Sequence, residues 1–122
     1  MTPSIAEGVF VYCTFSDFRL PQGLDPICTF RESEGLTAIV DKSQAEAARV
    51  PCTFPCRLIT LAVHSSLDAV GFLAYITDRL AQAGIACNAV AAFHHDHLFV
   101  PEARAAETLD VLNYLTAEAR LG

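Results

Sequence analysis

A chain of 122 residues is of single-domain size, with room for two small subdomains that share one core. Its net charge of −6, its single lysine (Lys42) and its scattered arginines exclude a basic surface for nucleic acid. No run approaches the roughly 20 apolar residues that a membrane-spanning helix needs. Hydrophobic residues make up 52% of the chain and charged residues only 18%, and this apolar surplus predicts a homodimer.

The N-terminus and the cysteines indicate the compartment. Residues Met1–Glu7 lack the basic start and the apolar run of a signal peptide. An odd number of cysteines without an export signal is typical of reduced thiols in the cytosol. We therefore expect a cytoplasmic protein with five free thiols, which are Cys13, Cys28, Cys52, Cys56 and Cys87.

The first half of the chain reads as strands followed by a short helix. Runs of β-branched and aromatic residues predict strands, while Pro, Gly and Asp cluster in the loops. The alanine-rich helix ends before Pro51, and residues 51–56 are expected to form a loop. In chain order, the predicted elements are a strand at Gly8–Phe15, a loop at Ser16–Pro26, hairpin strands at Ile27–Arg31 and Leu36–Val40, and a helix at Ser43–Arg49.

The second half predicts a strand at Arg57–His64 and then a helix with apolar residues at spacings of three and four. Ser65 is expected to cap this helix, with Asp68 as its capping-box partner, and Gly84 is expected to end it. A second hairpin follows, with strands at Ile85–Phe93 and Leu98–Val100 and a turn at His94–His97. Pro101 is expected to open the last helix, which runs to Arg120.

The order β-α-β-β-α in the second half is typical of a ferredoxin-like fold. The first half has the same order of strand, hairpin and helix, but a loop at Ser16–Pro26 takes the place of its central helix. We therefore predict an α+β protein made of a degenerate subdomain at residues 1–56 and a complete one at residues 57–122. Their sheets are expected to lie side by side.

The segment Asp68–Leu73 resembles the Asp-x-Pro-Gly-x-Leu loop of ACT domains, with Val70 where the family has proline. Gly71 precedes Gly84-Ile85 by thirteen residues, a spacing that ACT domains share, whereas Asn88 lies four residues after Gly84 rather than two. The chain looks like the small free-standing tandem ACT proteins of bacteria. The resemblance implies two ferredoxin-like (βαββαβ-type) ACT subdomains that bind a small molecule, in most cases an amino acid, without cofactor or catalysis.

The expected ligand site lies where the central helix begins. Unpaired N–H groups at a helix start favour a carboxylate, Gly71 permits close approach, and Asp68 can hold an ammonium group. The alternative is that Ser65 only caps the helix and Gly71 only permits packing. The predicted ligand-binding residues are His64, Ser65, Ser66, Asp68, Gly71 and Asn88.

The histidine-rich turn His94–His97 raises a second possibility, a metal site or a small enzyme centred on it. A structural zinc needs four ligands, and the spacing of Cys52 and Cys56 is loose for a zinc knuckle. A catalytic pair of Cys87 and His64 would need an exposed thiol, whereas Cys87 falls on a predicted inner strand. We therefore predict no metal and no catalysis, with a pure dimerisation module as a further alternative.

Overall fold

The computed structural model describes residues 1–62, 67–68 and 70–121 of the chain. Within these ranges the chain forms seven strands, three α-helices and one turn of 3-10 helix. The strands are β1 (Thr2–Ile5), β2 (Phe10–Phe15), β3 (Cys28–Glu32), β4 (Gly35–Asp41), β5 (Thr53–Ala62), β6 (Asn88–Ala91) and β7 (Asp96–Pro101). The helices are α1 (Lys42–Ala48), α2 (Phe72–Gln82), the 3-10 turn Glu102–Arg104 and α3 (Ala105–Leu121).

The chain divides into two compact units, one made of residues 8–56 and the other of residues 1–7 together with residues 57–122. Strand β5 crosses the division, since it begins at Thr53 and ends at Ala62. The first seven residues, which include β1, therefore lie with the later part of the chain.

The unit of residues 8–56 is an antiparallel sheet in the order β3-β4-β2, extended by the start of β5. Helix α1 begins at its N-cap Asp41, whose carboxylate accepts hydrogen bonds from the backbone N–H (2.9 Å) and hydroxyl (2.6 Å) of Ser43. The helix ends at Arg49 in a left-handed conformation. The buried residues between helix and sheet are Val11, Cys13, Ala38, Val40 and Ala45.

The other unit has its strands in the order β1-β5-β7-β6. Its core combines alternate residues of β5 and β7 with one face of α2 and one face of α3. Ile59, Leu98 and Leu112 are among its fully buried side chains. The order β5-α2-β6-β7-α3 confirms the predicted β-α-β-β-α pattern, and residues 16–27 contain no helix, as predicted for the first half.

Three predicted boundaries are wrong. The expected loop at residues 51–56 is a strand from Thr53 onward. Pro55, which lacks an N–H, is tolerated because the pairing of β2 with β5 shifts register between Phe10 and Tyr12. Strand β1, with its Pro3 and small polar residues, was not predicted at all, and it forms by pairing with β5.

The second wrong boundary is the start of the central helix. It begins at Phe72 rather than near Ser65, so Asp68 precedes the helix and is not the capping-box residue. Leu67 and Val70, which matched a helical spacing, are 68% and 97% exposed and belong to no core. The third is the histidine turn, because Asp96 and His97 belong to β7.

Candidate ligand site

Three of the six predicted site residues fall in the described part of the chain. Asp68 lies in a turn, Gly71 is the N-cap of α2, and Asn88 is the first residue of β6. All three are exposed. The others, His64, Ser65 and Ser66, lie outside the described residues. The set as a whole therefore stays a prediction.

Gly71 determines the geometry of the helix start. Its φ of 94° and ψ of −21° lie in a left-handed region that L side chains rarely adopt. Its carbonyl accepts the first hydrogen bond of the helix, from Tyr75 N at 3.0 Å. A Cβ placed on Gly71 would meet no described atom within 4 Å. Within the described residues, Gly71 therefore has no side chain or backbone packed against its Cα.

The first turn of α2 offers backbone donors and no side-chain acceptor of its own. Residues 72–75 are Phe, Leu, Ala and Tyr, with no acidic residue among them. The glycine N-cap makes no side-chain hydrogen bond. N–H groups at a helix start carry the positive end of the helix dipole. This arrangement suits a carboxylate or another small anion.

The turn before the helix adds one acidic and two apolar side chains. Asp68 is exposed and lies three residues before Gly71. Leu67 and Val70, on either side of Asp68 in the sequence, are mostly exposed. A carboxylate and exposed apolar side chains therefore lie within residues 67–70, just before the backbone donors of the first turn of α2.

The other end of α2 is fixed by Arg104. Its guanidinium donates hydrogen bonds to the carbonyl oxygens of Ala83 (3.0 Å) and Gly84 (3.2 Å), just beyond the last turn of the helix. It also forms two hydrogen bonds with the Glu107 carboxylate, at 2.7 and 3.1 Å. This pairing raises the pKa of Arg104 and lowers the pKa of Glu107. A cation at the C-terminal end of a helix interacts favourably with the negative end of the helix dipole and so stabilises the helix.

Asn88 shares a face of the β6–β7 pair with a histidine that the sequence placed in a turn. In the antiparallel pairing of β6 with β7, Asn88 lies opposite Phe99 and Val90 lies opposite His97. Since opposed residues point to the same side of a sheet, Asn88 and His97 lie on one face. His97 Nδ1 is 2.9 Å from the hydroxyl oxygen of Thr60 on β5. Leu98, the next residue of β7, is fully buried on the opposite face.

The remaining histidines of the turn do not form a ligand cluster with it. His94 is exposed and stacks edge-on against Phe93, with ring centroids 4.9 Å apart. His95 is half-buried, and its Nδ1 has no hydrogen-bond partner among the described residues. Within residues 1–62, 67–68 and 70–121, no three His, Cys, Asp or Glu side chains are grouped so that they could hold a metal ion.

Cys87 and His64 were weighed above as a catalytic pair. Cys87 belongs to the described residues, whereas His64 lies outside them. Cys87 is half-buried, and burial raises its pKa from 9.0 to about 11. A thiol with that pKa is almost fully protonated near neutral pH and is a poor nucleophile.

Two models of the ACT domain match the sequence, one over residues 1–57 and the other over residues 53–113. A solved protein of unknown function from Vibrio cholerae, a possible transport protein by its name, is 41% identical, with a TM-score of 0.82 over 90% of this chain and 85% of that one. The chain belongs to the ACT-domain family. ACT domains are regulatory modules that bind small molecules, so the coarse role of this chain follows from its membership.

More distant structures agree on the fold. A protein from Agobacterium tumefaciens is 20% identical, with a TM-score of 0.78 over 92% of this chain and 86% of that one. The aspartokinase alpha and beta subunits are 10% identical, with a TM-score of 0.69 over 93% of this chain and 96% of that one. The fold is therefore α+β with two tandem ferredoxin-like ACT domains. A comparison with curated proteins gives no match. None of the described helices is long and apolar enough to cross a membrane.

Proposed function

We propose that this ACT-domain protein binds an amino acid at the start of α2 and acts as a sensor or regulatory module without catalysis of its own. The observation that supports the site most directly is the glycine N-cap of α2, which precedes an apolar first turn with backbone N–H donors and no acidic side chain of its own. In this arrangement the ligand carboxylate accepts hydrogen bonds from the N–H groups of that turn.

The same turn supplies partners for the rest of an amino acid. The carboxylate of Asp68 pairs with the ligand ammonium group, and the exposed side chains of Leu67 and Val70 contact its apolar part. His64, Ser65, Ser66 and Asn88 complete the proposed set. A zwitterion matches this pairing of a helix N-terminus with a nearby carboxylate, whereas a simple anion would leave Asp68 opposed to like charge.

The proposal that the chain catalyses nothing rests on its thiols and its family. Burial raises the pKa of Cys56 and Cys87 to about 11, which leaves these two thiols protonated and weakly nucleophilic at neutral pH. The function of ACT domains is regulatory, so the ligand is expected to leave the protein unchanged.

We also propose a homodimer in the cytoplasm. Several large apolar side chains are exposed, among them Phe30 (69%), Phe93 (78%) and Tyr114 (67%), and a second copy would cover such surface. All five cysteines are free, which suits a reducing compartment. Sedimentation of the full chain at high micromolar concentration should give the mass of a dimer, and a monomer would contradict the assembly.

The decisive experiment is a thermal-shift screen against the twenty amino acids, followed by calorimetry on each hit. A ligand that binds only the folded state raises the unfolding midpoint with its concentration. A stabilising amino acid whose methyl ester or decarboxylated amine has no effect would support the proposed carboxylate contact. If none of the twenty stabilises the protein, the amino-acid proposal is wrong.

A further inference from the structure

The unit of residues 8–56 contains a cavity of about 330 Å³ that is lined by two cysteines. Cys13 lies on β2, and Cys52 precedes the first residue of β5. The other lining residues are Tyr12, Thr14, Thr37, Pro51 and Thr53. None of the residues that line this cavity belongs to the proposed amino-acid site.

Extending the strand register by one residue brings the two cysteines opposite each other. Tyr12 on β2 is paired with Thr53 on β5 in an antiparallel ladder. Cys13 follows Tyr12 on β2, and Cys52 precedes Thr53 at the start of β5. The next pair in this antiparallel register is therefore Cys13 and Cys52. Opposed residues of an antiparallel pair have Cα atoms about 4.5–5.5 Å apart. A disulfide accepts Cα separations of about 4.4–6.8 Å, so the register is compatible with a bond between the two sulfurs.

The two thiols differ in access, as an attacking and a resolving thiol do. Cys52 is exposed, whereas Cys13 is only 4% exposed and belongs to the core beside α1. Burial raises the pKa of Cys13, and the neighbouring Cys52 raises it further, which agrees with their closeness. A small reagent therefore meets Cys52 first.

The remaining cysteines of this unit are poor competitors. Cys56 is fully buried, and its thiol donates a hydrogen bond to the carbonyl oxygen of Phe10 at 3.3 Å. Cys28 lies on β3, which is separated from β2 by the whole width of β4. Two strand spacings amount to about 9–10 Å, beyond the reach of a disulfide.

We propose that Cys13 and Cys52 are a thiol modification site that is oxidised to an intramolecular disulfide by a low-molecular-weight disulfide. The Cys52 thiolate attacks one sulfur of the small disulfide, which forms a mixed disulfide and expels one small thiolate. Cys13 then loses its proton and attacks the Cys52 sulfur, which forms the protein disulfide and expels the second small thiolate. The two protein thiols are oxidised, the small disulfide is reduced, and the two protons end on the two small thiols.

The bond would join the connection between α1 and β5 to strand β2. It would close the chain from Cys13 through β3, β4 and α1 to Cys52 into one covalent loop, which reduces the entropy of the unfolded state. The oxidised protein is therefore expected to unfold at a higher temperature than the reduced protein. Cytosolic disulfides of this kind are usually transient and redox-sensing.

The test exposes the full chain to glutathione buffers of rising oxidised fraction, followed by acid quenching, alkylation and peptide mapping. Wild type and the Cys28→Ser control should lose two hydrogens and yield a peptide that links Cys13 to Cys52. Cys13→Ser and Cys13→Ala should stop at a glutathione adduct on Cys52, and Cys52→Ser should gain neither product.

The same samples give a thermal readout. Oxidation should raise the unfolding midpoint of wild type and of Cys28→Ser, and should not raise that of Cys52→Ser. A stable glutathione adduct on Cys52 of the wild type with no link to Cys13, a link from Cys52 to another cysteine, or full resistance of wild type to oxidation would each overturn the proposal.

Discussion

The Nδ1 atom of His97 on β7 lies 2.9 Å from the hydroxyl oxygen of Thr60 on β5. The pair joins two neighbouring strands of the same unit on the face opposite Leu98. Burial lowers the pKa of His97 below 6.5, the nearby His95 lowers it further, and Asp96 opposes the change. The folded protein therefore favours the neutral imidazole.

This preference predicts a pH dependence of stability. Because the pKa of His97 is lower in the folded state, the unfolded chain binds the proton more readily, and His97 makes stability fall as pH drops below 6.5. His97→Gln keeps a hydrogen-bonding side chain beside Thr60 without a titrating ring. In urea titrations at a series of pH values, the variant should lose less stability on acidification than wild type. The exposed control His94→Gln should follow wild type, and identical slopes for all three proteins would contradict the prediction.

A second prediction concerns the core of the unit that holds the candidate site. Leu98 is fully buried among residues of β5, α2 and α3. Truncation to alanine removes its apolar contacts and leaves a cavity, so Leu98→Ala should lower the free energy of unfolding by about 2–5 kcal/mol. Leu20, 39% exposed, provides the control, and Leu20→Ala should cost much less. Equal losses in denaturant unfolding would show that Leu98 does not pack as described.

A third prediction uses the tight turn between β3 and β4. A Cβ added at Gly35 would lie 2.7 Å from the backbone carbonyl oxygen of Phe15, which cannot move without breaking its strand. Gly35→Ala should therefore destabilise the protein by about 1–3 kcal/mol through overpacking. A Cβ at Gly23 would meet no described atom within 4 Å, although its φ is 94°. Gly23→Ala thus measures backbone strain alone, and a cost at Gly35 no greater than at Gly23 would argue against the close contact.

Elements with regular periodicity were predictable from the sequence. Helix α3 has a helical spacing that matches what it buries, namely Ala105, Thr108, Leu112 and Leu115. The hairpin of β3 and β4 was predictable from its β-branched and apolar residues on either side of Glu34-Gly35. Strand β1 has no such pattern, because its position depends on pairing with β5, a contact distant in sequence. The predicted start of α2 was wrong for the opposite reason. Leu67 and Val70 have the spacing of apolar residues on a helix face, but both are exposed and lie before the helix.

For the candidate site, the sequence identified residues and could not give their arrangement. Gly71 was chosen for its lack of a side chain. Its position as the left-handed N-cap depends on a helix start that the sequence analysis placed six residues too early, with Ser65 as the N-cap. The pair of Thr60 and His97 was missed because it joins strands far apart in the chain. The closeness of Cys13 and Cys52 likewise depends on a pairing of β2 with β5 whose register shifts between Phe10 and Tyr12.

A fourth prediction concerns the order in which the thiols react. Burial raises the pKa of Cys56 and of Cys87 to about 11, whereas Cys52 is exposed. Since the thiolate is the reactive form, iodoacetamide at mildly alkaline pH should alkylate Cys52 well before Cys56 and Cys87. Mass mapping at timed intervals measures the order, and in denaturant the difference should vanish. Early alkylation of Cys56 in the folded protein would contradict its described burial.

The last prediction tests the ligand site with a hit from the amino-acid screen. Asp68→Ala should weaken binding by about 1–3 kcal/mol, because a charged hydrogen bond to the ligand ammonium group is lost. Asp110→Ala removes an exposed carboxylate from α3 instead, and it should bind as wild type does. Calorimetry on both folded variants therefore separates a local contact from a change in net charge.

Gly71→Leu should abolish binding, because a side chain at the N-cap covers the donors of the first turn and strains a φ of 94°. Gly23 has the same φ and lies in the other unit, so Gly23→Leu carries the same backbone strain away from the site. Both variants should remain folded by circular dichroism. If Gly71→Leu then loses binding while Gly23→Leu keeps it, the start of α2 is needed for binding, and backbone strain alone does not explain the loss. Equal affinity for wild type, Asp68→Ala and Gly71→Leu would instead place the ligand elsewhere, and Gly71 would then serve only to turn the chain into α2.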